Sequence, residues 1–318
     1  MTKPIIAVVG ATGAQGGGLV RSILSDPDRA FSVRAISRKI DSPAARELAG
    51  KGAEVVFGDL DDPASLERAF KGAHGVYAVT NFWEHFSPER EHSQAQNIAD
   101  AARRADVSHI IWSTLEDTRE RVPLHDQRMP TLMQRYKVPH FDAKGESDAL
   151  FRGLPTTFLR TSFYWDNLIY FGMGPRRGED GTLNFLLPMG EQKLAGIAAA
   201  DIGACAFGIF KRGSRFIGQT VGIAGGHLTG SEMSAELSAV LGEPVRHVSM
   251  PHAVYAQLGF PGAEDLANMF QYYCDFNAEF SAQRPVALSR ELHPGLLSFG
   301  QWAALHRDRL RASLRETS

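Results

Sequence analysis

Cysteine is scarce: Cys205 and Cys274 are the only two in 318 residues, and neither belongs to a Cys-x-x-Cys pair. That excludes a disulfide framework and a thiol-redox motif, and two buried thiols are expected instead. His-Glu-x-x-His and clustered Cys/His are also missing, so no metal site is indicated. The absence of Gly-x-Ser-x-Gly removes the nucleophile elbow of a serine hydrolase. No apolar run approaches the ~20 residues that span a bilayer, so no membrane segment is expected. Neither sign of charge dominates: the net charge is −2 with 22% charged residues, which does not point to direct binding of nucleic acid. There is no internal repeat and no low-complexity tract. The opening MTKPIIAVVG runs straight into an apolar segment with no room for a leader, so a cytoplasmic protein is expected.

What is present is a glycine-punctuated α/β pattern. Hydrophobic residues make up 43% of the chain, enough for one large core and a smaller lobe. Pro4–Val9 is an uncharged apolar run, as in a buried parallel strand. Gly10, Gly13 and Gly16 follow in GATGAQG, and amphipathic spacing then runs through Leu19, Val20, Ile23 and Leu24. Strand, glycine turn and helix in this order suit a dinucleotide: Gly10 for the turn, Gly13 for close approach of a pyrophosphate, Gly16 for helix–strand packing. Free N–H groups at the helix start would hold the phosphates. The next strand, Phe31–Ile36, leads to Ser37, Arg38 and Lys39. An acid at this tip would bind the ribose 2′-hydroxyl of NAD, whereas Arg38 suits a 2′-phosphate. NADP(H) is therefore the preferred cofactor, with NAD(H) as the alternative.

Strand and helix signals then alternate: strands at Ala53–Phe57, His74–Val79, His109–Trp112 and Thr156–Arg160, and helices from Pro43, from Pro63, over Pro88 to Ala105 and from about Phe141 to Phe151. This predicts an α/β doubly wound parallel sheet. Residues 1–160 read as the cofactor-binding domain and 161–318 as a smaller α/β lobe, some of whose strands rejoin the main sheet. The charged segment Glu116–Met129 reads as a surface loop or lid. Asp59 and Leu60 end a strand where an adenine ring could sit, although Asp59 also suits a helix N-cap. Asn81 and Phe82, with Trp83 beside them, follow a strand end at the expected crevice. Lys144 lies one helical turn after His140 and could bind ribose hydroxyls or polarise a carbonyl; a solvated helix lysine is the plain alternative. Ser113 ends a strand and could bind substrate or form a turn. His140 could act as an acid near neutral pH. Phe163, Tyr164 and Trp165 belong to the core or line a pocket for a flat substrate.

Taken together, GATGAQG, Arg38, GDLDD at 58–62, VTNFWE at 79–84 and HFDAKGE at 140–146 resemble the NmrA-like family, a branch of the atypical short-chain dehydrogenase/reductase superfamily. GFPGAEDLANMF at 259–270 resembles the C-terminal lobe of its NADPH-sensing members. The resemblance implies a Rossmann domain with a small α/β lobe and NADP(H) as ligand. It places Gly10, Thr12, Gly13, Gln15 and Gly16 in the phosphate loop, Arg38 at the 2′-phosphate and Asp59 and Leu60 at the adenine. Thr80 and Asn81 fall on the nicotinamide side, Lys144 on its ribose, and Tyr255 on the small lobe. One departure is chemical: where typical short-chain dehydrogenases carry the tyrosine of Tyr-x-x-x-Lys, this chain has His140. Two functions follow. One is an oxidoreductase delivering hydride to an aromatic or quinone-like carbonyl, with Lys144, His140 and Ser113 as candidate catalytic residues. The other is a catalytically silent redox sensor that regulates a protein partner. A homodimer is left open.

Overall fold

The computed structural model describes residues 3–314. It contains a seven-stranded sheet in which every neighbouring pair is parallel. In chain order its strands are β1 (Ile5–Val8), β2 (Ser32–Ser37), β3 (Glu54–Phe57), β4 (Gly75–Ala78), β5 (His109–Thr114), β6 (Thr156–Arg160) and β7 (Thr220–Gly222). Across the sheet the order is β7-β6-β5-β4-β1-β2-β3. The winding reverses between β1 and β4, so a crevice opens at their carboxyl ends, where ligands of such sheets bind. Every residue of β4 and β5 is buried, which is why Val76–Ala78 and Ile110–Trp112 read as apolar runs.

Three of the helices beside the sheet start where a short polar side chain meets proline. α1 covers Ala14–Leu24, α2 Pro43–Gly50, α3 Pro63–Phe70, α4 Pro88–Arg104, α5 Pro139–Phe151 and α6 Ala199–Lys211. Ser42, Asp62 and Ser87 cap α2, α3 and α4, each accepting from the N–H of the third helical residue, with proline just inside the helix. Leu66 and Phe70 of α3 and Ile98 and Ala102 of α4 pack on Val76, Ile110 and Trp112 of the sheet. α1 and α6 meet backbone to backbone: a Cβ on Gly18 would stand 2.2 Å from the Ala200 carbonyl oxygen, and one on Gly203 2.1 Å from the Leu19 nitrogen. Only glycine fits such a crossing.

The chain divides into two compact units, and a single cut at residue 160 does not separate them. The first unit takes residues up to 117, 140–161 and 200–222; the second takes 118–139, 162–199 and the residues from 223 onward. The return of 200–222 follows from the glycine contact of α6 with α1 and the pairing of β7 with β6. The second unit holds two three-stranded sheets, Gly226–Leu228 with Leu194–Ile197 and Phe163–Tyr164, and Val245–Val248 with Leu183–Leu186 and Arg176–Arg177. Its helix Gly230–Leu241 is capped by Thr229, paired reciprocally with Glu232, and is followed by left-handed Gly242.

Two expectations change in this unit. Trp165 is core, not pocket wall: it is 1% exposed, its ring meets Phe299 and Trp302, and it covers Gly196 and Gly225. Much of the loop read as a lid is tied down. Val122 and Met129 are buried, and buried Lys137 donates to the carbonyls of Asp126 (2.8 Å) and Met129 (2.7 Å). Asn268 then fastens the carbonyls of Pro130 (3.0 Å) and Lys137 (2.6 Å). Among the described residues, no helix is long and apolar enough to cross a membrane.

Candidate functional site

The loop between β1 and α1 is shaped by its glycines. Gly10 has φ +63°, a conformation that L side chains rarely adopt. The Gly13 N–H donates to the Gly10 carbonyl at 2.8 Å, and a Cβ on Gly16 would lie 2.4 Å from that same oxygen. Gly13 stands at the N-cap and makes no side-chain cap bond to the positive end of α1. Gly10, Thr12 and Gly13 are exposed there. Gln15 behaves differently. It is buried, and its Oε1 accepts from the hydroxyls of Tyr77 and Ser113, the latter at 2.9 Å. Ser113 therefore directs its proton inward, and the structure joins two residues that the sequence had assigned to different roles.

At the tip of β2, Arg38 is exposed and its Nη1 lies 2.6 Å from Glu84 Oε1. Glu84, and Asp59 at longer range, hold the guanidinium above its ordinary pKa. Asp59 does not cap the next helix; Asp62 does. Instead Asp59 Oδ1 accepts from the Asp61 N–H at 3.0 Å. Leu60 packs partly buried on the core while its carbonyl accepts from Asn97 at 2.8 Å.

At the carboxyl end of β4 lies a buried charge network. Lys144 Nζ reaches Glu91 Oε1 (2.7 Å), Thr80 Oγ1 (2.7 Å) and the Thr80 carbonyl (3.0 Å). Thr80 in turn donates to Glu91 Oε1 at 2.6 Å. An ammonium has three protons to donate, and these partners take all of them. Glu91 is 0% exposed. Burial pushes its carboxyl pKa up, but Lys144, His85 and Thr80 together bring it down to about 2. Glu91 Oε2 faces His85 Nε2 at 3.5 Å. Because His85 Nδ1 accepts from the Ser87 N–H at 3.1 Å, the proton of the neutral ring belongs on Nε2, toward Glu91.

Beside this network the structure gathers an aromatic cluster. The His140 ring lies 4.7 Å from Trp83, 6.1 Å from Phe82 and 4.8 Å from Phe141. Phe82 is buried, Trp83 half-buried, and Asn81 exposed. Phe163, Tyr164, Trp165 and Tyr255 belong to the second unit. There Tyr255 packs on Phe260 and Phe270, and burial pushes its hydroxyl up to about 12.

Glu91 and His85 were not anticipated. A signal for Glu91 existed: the apolar stripe of α4 at Ala95, Ile98, Ala99 and Ala102, continued one turn toward the N-terminus, lands on it. A carboxylate on a buried stripe needs a cation. His85 lies outside the helix and left no periodic trace.

A parallel sheet wound both ways from β1, with a glycine turn leading into an uncapped helix, defines a Rossmann-type α/β protein. The chain belongs to the NmrA-like family, whose pattern matches residues 2–302. It is 30% identical over 307 residues to the NmrA-like family domain-containing oxidoreductase FrzB of Cladobotryum sp., covering 88% of this chain and 87% of that one. It is also 30% identical over 269 residues to an NAD(P)H azoreductase of Xenophilus azovorans, covering 83% and 84%. Among solved structures, NmrA, a negative transcriptional regulator, in complex with NAD has a TM-score of 0.78 at 24% identity, covering 99% of this chain and 98% of that one. The same regulator in complex with NADP has a TM-score of 0.75 at 23% identity, covering 100% and 98%. That likeness speaks for the fold.

Proposed function

We propose that this protein binds NADP(H), with NAD(H) as a second ligand, at the carboxyl edge of the sheet, and that it is an oxidoreductase delivering hydride to an aromatic carbonyl or quinone-like acceptor. The observation that carries the cofactor reading is the glycine turn: a Cβ at Gly16 would collide with Gly10, and α1 opens toward that turn without a side-chain cap. The exposed backbone of Gly10, Thr12 and Gly13 would hold the pyrophosphate, and Arg38 the 2′-phosphate. Asp59 and Leu60 would flank the adenine, and Thr80, Asn81 and Lys144 the nicotinamide half. When bound, the reduced dinucleotide supplies a hydride.

The chain's own contribution is charge and proton control. Lys144, held by Glu91 and Thr80, presents a fixed ammonium that stabilises negative charge developing on an acceptor oxygen. Its committed protons make His140, packed on Trp83 and Phe82, the better candidate for proton delivery. Ser113 and Tyr77 both donate to Gln15 and fix it below the turn. The names of the two relatives support redox chemistry, and the azoreductase suits a flat aromatic acceptor. The decisive experiment follows NADPH oxidation against a panel of quinones, aryl ketones and azo dyes, with His140→Ala and Lys144→Ala as variants. Turnover that falls at least tenfold in either variant sustains the enzyme. Absence of turnover with every acceptor rejects it.

A second reading, a redox sensor regulating a protein partner, is favoured by the engaged state of Lys144 and by histidine standing where the usual tyrosine would. It requires the reduced and oxidised ligands to favour different shapes. Cofactor-dependent changes in oligomer size or protease sensitivity, without turnover, would support it.

A further inference from the structure

An arginine at the tip of β2 can grip a phosphate only if its guanidinium is available, and Arg38 already holds a carboxylate 2.6 Å away. Asp59 places a second negative charge in its field. The neighbouring Arg90 pairs with Asp61 at 2.5 Å, and its own positive charge opposes that of Arg38. Arg38 and Lys39 are thus matched by Glu84 and Asp59, and a tip that reads as basic along the chain is nearly balanced in space. Glu84 is also well placed by its backbone. Its N–H donates to the Asn81 carbonyl at 3.2 Å, and the next two amides return to the Phe82 carbonyl at 3.1 and 2.7 Å. The Phe82 ring is buried, and Phe86 closes the turn with φ 53°, a strained value for a bulky residue.

We propose that Glu84 is a specificity-determining residue, competing with a ribose 2′-phosphate for Arg38 and accepting a hydrogen bond from a ribose 2′-hydroxyl in its place. The proposal rests on the dinucleotide reading above. A 2′-phosphate must bring its negative charge against Glu84 to reach the guanidinium, so part of the attraction is lost to like-charge repulsion. A 2′-hydroxyl meets no such cost and finds a carboxylate acceptor, the chemistry an acid at the strand tip would otherwise provide. One exposed Arg–Glu pair thereby serves both dinucleotides, with the acid donated by the loop after β4.

The test is calorimetric titration of the full chain with NADP+, NAD+ and 2′,5′-ADP, comparing the parent with Glu84→Gln, Glu84→Ala and Arg38→Ala. Both Glu84 variants should tighten NADP+ and 2′,5′-ADP about three- to fivefold and weaken NAD+ about twofold, as suits an exposed pair, and the gap should shrink with added salt. Arg38→Ala should cost NADP+ much more than NAD+. If the parent binds both dinucleotides but their affinity ratio is unchanged in the Glu84 variants, or moves toward NAD+, the proposal is overturned while the dinucleotide reading stands. If the parent binds neither, both are overturned.

Discussion

Glu91 and Asp148 are carboxylates set against the carboxyl ends of adjacent strands, and they are held in opposite ways. Glu91 on α4 is pulled down to about 2 because an ammonium and two further donors outweigh the cost of burial. Asp148 lies on α5 one turn beyond Lys144, and its Oδ1 accepts from Trp112 Nε1 (2.9 Å) and Thr114 Oγ1 (2.6 Å). Burial pushes Asp148 up to about 6, and these neutral donors recover only part of it. The same helix thus presents a cation to one acid and leaves the other without a contacting cation. The lesson is that hydrogen bonds alone do not keep a desolvated carboxylate charged; a cation in contact does.

Removing the cation should break the contrast most severely. Lys144→Met leaves Glu91 buried and uncompensated, with an expected loss of about 3–5 kcal/mol in urea unfolding at pH 7. Lys144→Met/Glu91→Gln should recover much of that loss; additive effects in the double variant would refute the coupling. Glu91→Gln alone is next. The folded pKa of Glu91 lies below its unfolded value, so its contribution, on the order of 2–3 kcal/mol, is present above about pH 4.5 and fades as pH falls toward 2. Unfolding curves for parent and variant should therefore differ at pH 7 and converge in acid.

Asp148→Asn should act with the opposite sign. The raised folded pKa makes the ionised acid a cost that grows as pH rises from about 3.8 through about 6. Asparagine keeps an acceptor for Trp112 and Thr114, so a gain of about 1–2 kcal/mol is expected at pH 7, discounted for partial exposure, and none near pH 4. A loss of stability at pH 7 would contradict this account. Ser113→Ala is the smallest, about 1 kcal/mol with no pH dependence, because it removes one neutral donor from Gln15. A pH-dependent loss there would tie Ser113 to the charged network.

Much of the first unit could be read along the chain. The apolar runs, the glycines of the first turn and the Ser-Pro and Asp-Pro starts of α2, α3 and α4 act over a few residues, and the structure has them where expected. Trp165 shows the limit. An aromatic-rich stretch looks alike in a core and in a pocket, and only the small residues opposite it, Gly196 and Gly225, separate the two. The segment 116–129 is a loop, one of its two readings, but its charged composition concealed buried Val122 and Met129, and the Asn268 clamp on Pro130 and Lys137 just beyond it comes from more than a hundred residues away.

The sequence by itself determined the order of strands and helices in the first unit, the glycine turn and the family, because these depend on local periodicity and on backbone conformations that few residues tolerate. Tertiary structure alone decided that Arg38 holds Glu84, that Lys144 is committed to Glu91 and Thr80, and that Gly18 meets Ala200. The physical reason is that a charge or a close backbone contact is defined by what stands opposite. In a doubly wound sheet, neighbours across the crevice come from strands and helices far apart in the chain.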